Sequence, residues 1–153
     1  MAGVCDSMRA PLLALSFLFG LLAAPLAADE SAVMKRGVTL FTDRDYVIDE
    51  MPDAVKDLPF HRTSIEKTHV TITKPGTLFA LTPTARPKAS SQEEPLREAG
   101  FTKVEVPETQ LFPGEINRVS LYRKAVKAGE RFQLKKLVLL VMADGAEIKV
   151  GSD

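Results

Sequence analysis

The two histidines, His61 and His69, are the first candidates for metal chemistry, because protein zinc sites are built mainly from histidine and cysteine. No HExxH motif contains them, and the only cysteine, Cys5, lies near the N-terminus, far from both. We therefore interpret both histidines as half-exposed strand residues. The sequence predicts no metal site and no cofactor.

A group of carboxylates between residues 43 and 50 could supply the oxygen ligands that calcium prefers. The segment lacks the glycine of a calcium loop, and Arg44 lies inside it. We interpret it as a solvated turn, with calcium binding as the alternative. Its acidic residues are Asp43, Asp45, Asp49 and Glu50.

Signals of catalysis are weak along the whole sequence. There is no GxSxG motif, and the serines Ser64, Ser90, Ser91 and Ser120 have no flanking signature of a nucleophile. The glycines are isolated, so no phosphate-binding loop is present. A pair of carboxylates for glycoside hydrolysis is a spatial feature that any chain with 20 acidic residues offers by chance. We expect a protein that is not an enzyme, and an enzyme is the third alternative.

The residues best suited to bind a ligand are tyrosines and arginines. A tyrosine ring offers a flat face for a sugar ring and keeps a polar edge in water. An arginine offers planar, bidentate hydrogen bonds. The chain contains no tryptophan and two tyrosines. The alternative places both tyrosines in the core or at a corner and pairs the arginines with acids. The candidates are Arg44, Tyr46, Arg62, Tyr122 and Arg123.

Short strands separated by turns would position these residues. Residues 68–73 and 77–82 alternate apolar and polar side chains around Pro75-Gly76, which predicts a hairpin. The continuously apolar segment 136–142 predicts a central strand that is covered on both faces. Further strands are predicted at 38–42, 46–48, 101–106, 117–124, 132–134 and 147–150.

Two helical segments interrupt the strands. Residues 51–58 predict a single helical turn, with Pro52 near its start. Ser91 to Glu94 match a capping box that opens a short helix, and Gly100 is a natural end for it. This alternation of short strands and turns predicts an all-β fold, an antiparallel β-sandwich with one or two short helices.

Several short motifs occur in an order that resembles a known type of module. They are a D-R-x-Y strand (Asp43 to Tyr46), a proline-led turn (Pro52, Ala54, Leu58), Arg62-Thr63, Leu78 to Leu81, Gly100-Phe101, an L-Y-x-K strand (Leu121 to Lys124) and Ala128-Gly129. The segment 37–143 thereby resembles the β-sandwich accessory domains of bacterial secreted carbohydrate-active proteins, which accompany glycoside hydrolases and polysaccharide lyases. The resemblance implies a non-catalytic binding or accessory module. The chain departs from the pattern where it has Thr82 or Thr84 instead of an aspartate, and Pro95 instead of a tryptophan.

The N-terminal residues 1–28 have the pattern of a cleaved signal peptide. Arg9 supplies the positive charge, and an uncharged apolar segment then runs to Ala28, before Asp29 and Glu30. We expect cleavage after Ala28; the alternative, an uncleaved membrane anchor, would use a segment near the lower length limit for crossing a bilayer. Cleavage removes Cys5 and leaves a single domain, residues 29–153, without disulfides.

The charge and the expected location limit the possible partners. The chain has 20 basic and 20 acidic residues, and loss of the leader removes one of each, Arg9 and Asp6. A neutral domain gives no electrostatic reason to expect nucleic acid or stable membrane association. We expect a secreted or periplasmic, non-catalytic binding module whose partner is a polysaccharide or an envelope protein. The alternative is a periplasmic or cell-surface interaction protein, for instance one that binds by strand addition.

Overall fold

A computed structural model describes residues 30–66, 68–87, 90–114, 117–134 and 136–151. The predicted leader, residues 1–28, lies outside these ranges. None of the helices in the described ranges is both long and apolar enough to cross a membrane.

The described residues form nine strands in two antiparallel sheets, with one short helix and one 3-10 turn. The larger sheet has the order β1-β2-β8-β4-β6-β5, and the smaller has the order β7-β3-β9. The strands are β1 (Ser31–Val33), β2 (Pro59–His61), β3 (Thr68–Lys74), β4 (Gly76–Pro83), β5 (Thr102–Gln110), β6 (Arg118–Val126), β7 (Arg131–Leu134), β8 (Leu139–Ala143) and β9 (Glu147–Gly151); the helix α1 is Glu93–Glu98, and the 3-10 turn is Asp53–Val55. The predicted all-β, antiparallel sandwich with short helices is confirmed.

The larger sheet is buried on both faces. Along β6, Val119 and Leu121 point to one face, which we call the N-terminal face because residues of the irregular segment 34–65 pack on it. Tyr122 and Val126 point to the other face, which we call the sandwich face because the smaller sheet and α1 cover it. The molecule thus has three layers, with the larger sheet in the middle.

Strand β8 confirms the prediction of a central strand. It lies between β2 and β4, and its side chains alternate between the two hydrophobic clusters. Leu139 and Val141 belong to the N-terminal face, whereas Leu140 and Met142 belong to the sandwich face. Both faces need apolar side chains, and the sequence is therefore continuously apolar here.

The predicted hairpin of β3 and β4 is wrong, because the two strands lie in different sheets. β3 pairs with β7 and β9, and β4 pairs with β6 and β8. The chain crosses between the sheets at Gly76, where an added Cβ would stand 2.5 Å from the nitrogen of Ala146 and 2.8 Å from the carbonyl oxygen of Ala143. Proline and glycine therefore mark a corner between sheets here. Alternation predicts that a segment is a strand but leaves its partner open.

The first two predicted strands are reduced to isolated bridges. Thr39 pairs with Val47, and Phe41 pairs with Thr63. The edge of the larger sheet is formed instead by β1 and β2, which pair through Ala32 and Phe60. The predicted helical turn at 51–58 is confirmed by the 3-10 turn Asp53–Val55.

The short helix is confirmed, although it does not begin as predicted. Gln92 is its N-cap residue and makes no side-chain cap hydrogen bond. The Ser91 hydroxyl accepts a hydrogen bond from the Glu93 N–H at 3.3 Å. The chain leaves α1 at Gly100, whose φ of +87° favours glycine.

Candidate functional site

The most exposed aromatic feature is a stack of Tyr46 on Phe112, which we call the Tyr46 platform. The two rings are 4.7 Å apart and inclined by 12°, and Phe41 contacts Tyr46 edge-on at 6.2 Å. Tyr46 is nevertheless 37% exposed. The stack holds one side of the ring in place while part of the tyrosine remains open to solvent.

Arg44 lies two residues before Tyr46 in a loop that is anchored by Asp43. The carboxylate of Asp43 accepts hydrogen bonds from the Ile65 N–H at 3.0 Å and from the Ser64 hydroxyl at 2.7 Å. These two hydrogen bonds, from Ile65 first, lower the pKa of Asp43. Arg44 donates to the carbonyl oxygen of Asp43 at 2.7 Å. The structure therefore brings two predicted site residues, Arg44 and Tyr46, into one tethered loop.

The carboxylates of this loop do not converge on a common point. Asp43 is bonded to residues 64 and 65, whereas Asp49 forms an exposed ion pair with Arg36 at 2.7 Å. In the ranges that the structure describes, no group of three histidine, cysteine, aspartate or glutamate side chains could hold a metal ion. The acidic residues of the loop are exposed or half-buried, and Asp43 and Asp49 have separate partners.

Arg62 and Arg123 lie apart from each other. Phe60, Val141, Phe79 and Arg123 form one row across β2, β8, β4 and β6, so Arg62, just beyond β2, is three strands away from Arg123. The Nε of Arg62 is buried and has no hydrogen-bond partner among the described residues. The five predicted residues therefore do not form one continuous face.

Tyr122 is a core residue. Its side chain is 0% exposed and lies on the sandwich face. The hydroxyl donates to Oε2 of Glu93 at 2.8 Å and accepts from Nη2 of Arg97 at 3.3 Å. Burial and the hydrogen bond to Glu93 raise the pKa of Tyr122. Tyr122 offers no surface to a ligand, in agreement with the alternative interpretation of this tyrosine.

A buried carboxylate, Glu93, is the centre of a polar network and was not predicted as a site residue. Its side chain is 8% exposed. Burial favours the protonated form, but the hydrogen bonds that Glu93 accepts outweigh it and lower the pKa of Glu93. Its contacts are the Ala85 N–H (3.0 Å), the hydroxyls of Ser120 (2.8 Å) and Tyr122 (2.8 Å), Arg97 (3.2 Å) and Lys103 (3.8 Å).

This network joins α1 to the sandwich face. An ionised carboxylate that is already bonded on both oxygens is a poor proton acceptor, so its chemistry is structural. The sequence carried one signal for it: Ser120 and Tyr122 are two residues apart on β6, and residues at this spacing share a face. Thr82 continues the network, because its hydroxyl accepts the Gln92 N–H at 2.9 Å.

The departures from the resembled pattern fall in this same region. Thr82 is 1% exposed and Thr84 is 3.2 Å from the Ser120 hydroxyl. Pro95 lies within α1, next to the buried Leu96. In this chain Thr82 contacts the start of α1, Thr84 contacts Ser120, and Thr84 and Pro95 are half-buried.

Arg123 lines a shallow cleft at the end of β5 and β6, with a volume of about 540 Å³. Arg123 is exposed and forms no ion pair with another described residue. Lys124 beside it is held by the carbonyl oxygen of Ala99 and by Glu130, both at 2.9 Å. The other residues that line the cleft are Gly100, Thr102, Lys103, Val104 and Ala125.

Comparison with known protein families, with curated proteins and with solved structures finds no match to this chain. The fold class is an antiparallel all-β sandwich. Of the residues predicted from the sequence, Tyr46 lies on an exposed platform and Arg123 lines a cleft, so these two surfaces could bind a ligand.

Proposed function

We propose that the protein is an exported, non-catalytic module that binds a neutral glycan on the Tyr46 platform. The observation that carries this proposal is the stack of Tyr46 on Phe112, which fixes a partly exposed tyrosine ring at the surface. A sugar ring presents C–H groups that pack on an aromatic face, and the tyrosine hydroxyl stays in contact with water. A ring that is already held loses little side-chain entropy when it binds.

The distribution of exposed apolar side chains supports this location. Among the described residues, the large apolar side chains in the exposed class are Val33, Tyr46 and Val47. Two of them are neighbours in the Tyr46 loop. Exposed apolar groups that cluster on a folded protein often mark a binding site.

The charges of the loop favour a neutral ligand. Asp43 and Asp45 flank Arg44 on both sides, and the carboxylate of Asp43 lies within 4.0 Å of the Arg44 guanidinium. An acidic glycan would meet these carboxylates at the platform. Neutral sugars, bound by stacking on Tyr46 and by hydrogen bonds from Arg44, avoid that repulsion.

The alternative of strand addition is disfavoured at the long edge strand β5. Its pairing with β6 shifts register between Val104 and Thr109, and Pro107 lies within the shifted segment. The same strand carries Lys103, Glu105 and Glu108. Bulges, proline and charges are the features by which edge strands resist pairing with another chain.

The experiment is a screen of neutral polysaccharides with the protein expressed from its full sequence. We expect retention on at least one glycan, and loss of about tenfold or more in affinity for Tyr46→Ala, since one aromatic contact is removed. Val33→Ala is the matched control, because Val33 is similarly exposed but lies on β1. Retention that is equal for wild type and Tyr46→Ala, or no retention of wild type on any neutral glycan, would contradict the proposal.

A further inference from the structure

The outer face of the smaller sheet carries polar residues in two rows across its three strands. Thr71 on β3 pairs with Arg131 on β7 and with Lys149 on β9. In the adjacent row, His69 pairs with Gln133. We call this surface, formed by these five residues, the outer face. Its members are cross-strand neighbours, so their side chains can contact one ligand.

Alternation along the strands places these residues on the outside. Val70 and Ile72 of β3 are buried in the core with Leu134 of β7, while Ile148 of β9 packs against the same cluster. The residues between them therefore point away from the core. His69, Arg131, Gln133 and Lys149 are all exposed, and Thr71 is half-buried.

The outer face has two cations that no described carboxylate balances. The three strands carry one carboxylate, Glu147, and it pairs with Lys74. Glu130 precedes Arg131, but its carboxylate is 2.9 Å from Lys124 and accepts the Lys127 N–H at 2.7 Å. The hydrogen bond from Lys124, followed by that from Lys127, lowers the pKa of Glu130. Arg131 and Lys149 form no ion pair with any residue in the described ranges.

A recess lies beside Arg131. It has a volume of about 360 Å³ and is lined by residues of β3 and β7. The recess is lined by donors of hydrogen bonds as well as by apolar atoms: His69, Val70, Thr71, Arg131, Phe132 and Gln133. The arrangement offers one guanidinium and one amide in a recess, and the backbone of Lys149 lies two strand spacings, about 10 Å, across the row.

We propose that the outer face binds an acidic polysaccharide, with Arg131 and Lys149 each engaging a carboxylate or sulfate group. Arginine binds such groups in a bidentate manner, and lysine acts as a point charge. Nucleic acid fits less well, because proteins bind it through many phosphate contacts and the five residues of the outer face offer two such cations. The outer face lies on the opposite side of the larger sheet from the Tyr46 platform, so this site is independent of the proposed function.

The test is native electrophoresis of the full chain through gels that contain dextran sulfate, polygalacturonate or plain dextran. We expect retardation by at least one acidic polymer, and about tenfold weaker binding for Arg131→Gln/Lys149→Gln, since two exposed ion pairs are removed. The matched control is Lys35→Gln/Lys56→Gln, which removes the same charge from exposed lysines on the far side of the larger sheet. The conservative pair Arg131→Lys/Lys149→Arg should keep most of the binding.

Several results would overturn the inference. One is an equal loss of affinity in Arg131→Gln/Lys149→Gln and in its control. Others are the absence of retardation by either acidic polymer, or equal retardation of the wild type by dextran and dextran sulfate. The last is binding of a DNA oligonucleotide that is as tight as the binding of either polymer. A preference for dextran sulfate identifies sulfate as the group bound, and a preference for polygalacturonate identifies carboxylate. Repeating the gels with Tyr46→Ala separates the two proposals, because retardation by the acidic polymer should persist without the platform. Thermal melting of each variant confirms that the compared proteins are folded.

Discussion

Replacing Glu93 by glutamine removes the charge from the buried carboxylate that joins α1 to the larger sheet. In the wild type, Oε1 accepts hydrogen bonds from Ala85 and Ser120, and Oε2 accepts from Tyr122 and Arg97. A glutamine can keep the contacts of one oxygen only. Its amide nitrogen would face the donors that now meet Oε2, so charge-assisted hydrogen bonds are lost in a buried place.

The expected loss of stability follows from the kind of contact that is lost. Hydrogen bonds to a charged group contribute about 1.5–3 kcal/mol each, and breaking a buried charged pair costs about 3–5 kcal/mol. The Arg97 side chain is 60% exposed, so water can hydrate its guanidinium when the carboxylate is absent. We therefore expect the low end of the range for a buried pair, a loss of about 3 kcal/mol in the free energy of unfolding for Glu93→Gln. In a domain of this size that lowers Tm by roughly 10 °C.

The pH dependence of the unfolding free energy is a second, independent test of the role of Glu93. The pKa of Glu93 is lower in the folded state than its usual value of 4.5. The carboxylate therefore stabilises the fold fully at a pH above its pKa in the unfolded state. This contribution is lost as the pH falls through its pKa in the folded state. The difference in unfolding free energy between wild type and Glu93→Gln should narrow below about pH 4.5.

Thermal and urea unfolding followed by circular dichroism measure both quantities. Glu94→Gln is the matched control, because Glu94 is the next residue of the same helix but is exposed. Its effect should stay within about 0.5 kcal/mol. The reasoning is refuted if Glu93→Gln unfolds like Glu94→Gln near neutral pH, or if the gap between wild type and Glu93→Gln widens as the solution becomes acidic.

Two further expectations concern the corner between the sheets and the leader. Gly76→Ala should destabilise the fold by about 2 kcal/mol or more, because the added Cβ would stand 2.5 Å from the nitrogen of Ala146. The control is Gly151→Ala, because a Cβ at Gly151 would meet nothing within 4 Å. Equal urea midpoints for the two variants would contradict the close approach at Gly76. Expression in an exporting bacterial host should give a mature protein that begins at Asp29, as read by intact mass; a mass that includes Cys5 in the folded product would contradict cleavage.

The fold class could be predicted from the sequence because its signals are local. The apolar run that forms β8 and the alternation in β3 and β6 each depend on residues that are close in the chain. The partner of each strand depends on contacts between distant segments. For this reason the residues around Gly76 predict a hairpin, although the chain there joins two sheets.

The candidate site was predictable only in part, for the same physical reason. Arg44 and Tyr46 are two residues apart and share one loop, so their proximity could be expected from the chain alone. For Tyr122 the sequence leaves a ligand-binding role and a core position both open, and the partner of its hydroxyl, Glu93, is 29 positions away. The outer face was missed because Arg131 and Lys149 meet only through β3, which lies between their strands.

The most direct test of glycan binding uses the tyrosine fluorescence of the protein itself. The chain has no tryptophan and two tyrosines, and Tyr122 is 0% exposed, so quenching by acrylamide should report mainly on Tyr46. A neutral glycan that is retained in the screen should protect the tyrosine emission from acrylamide, and Tyr46→Phe should keep the affinity while losing this signal. Acrylamide quenching that stays unchanged while the glycan is bound would show that the ligand lies elsewhere and would contradict binding on the Tyr46 platform.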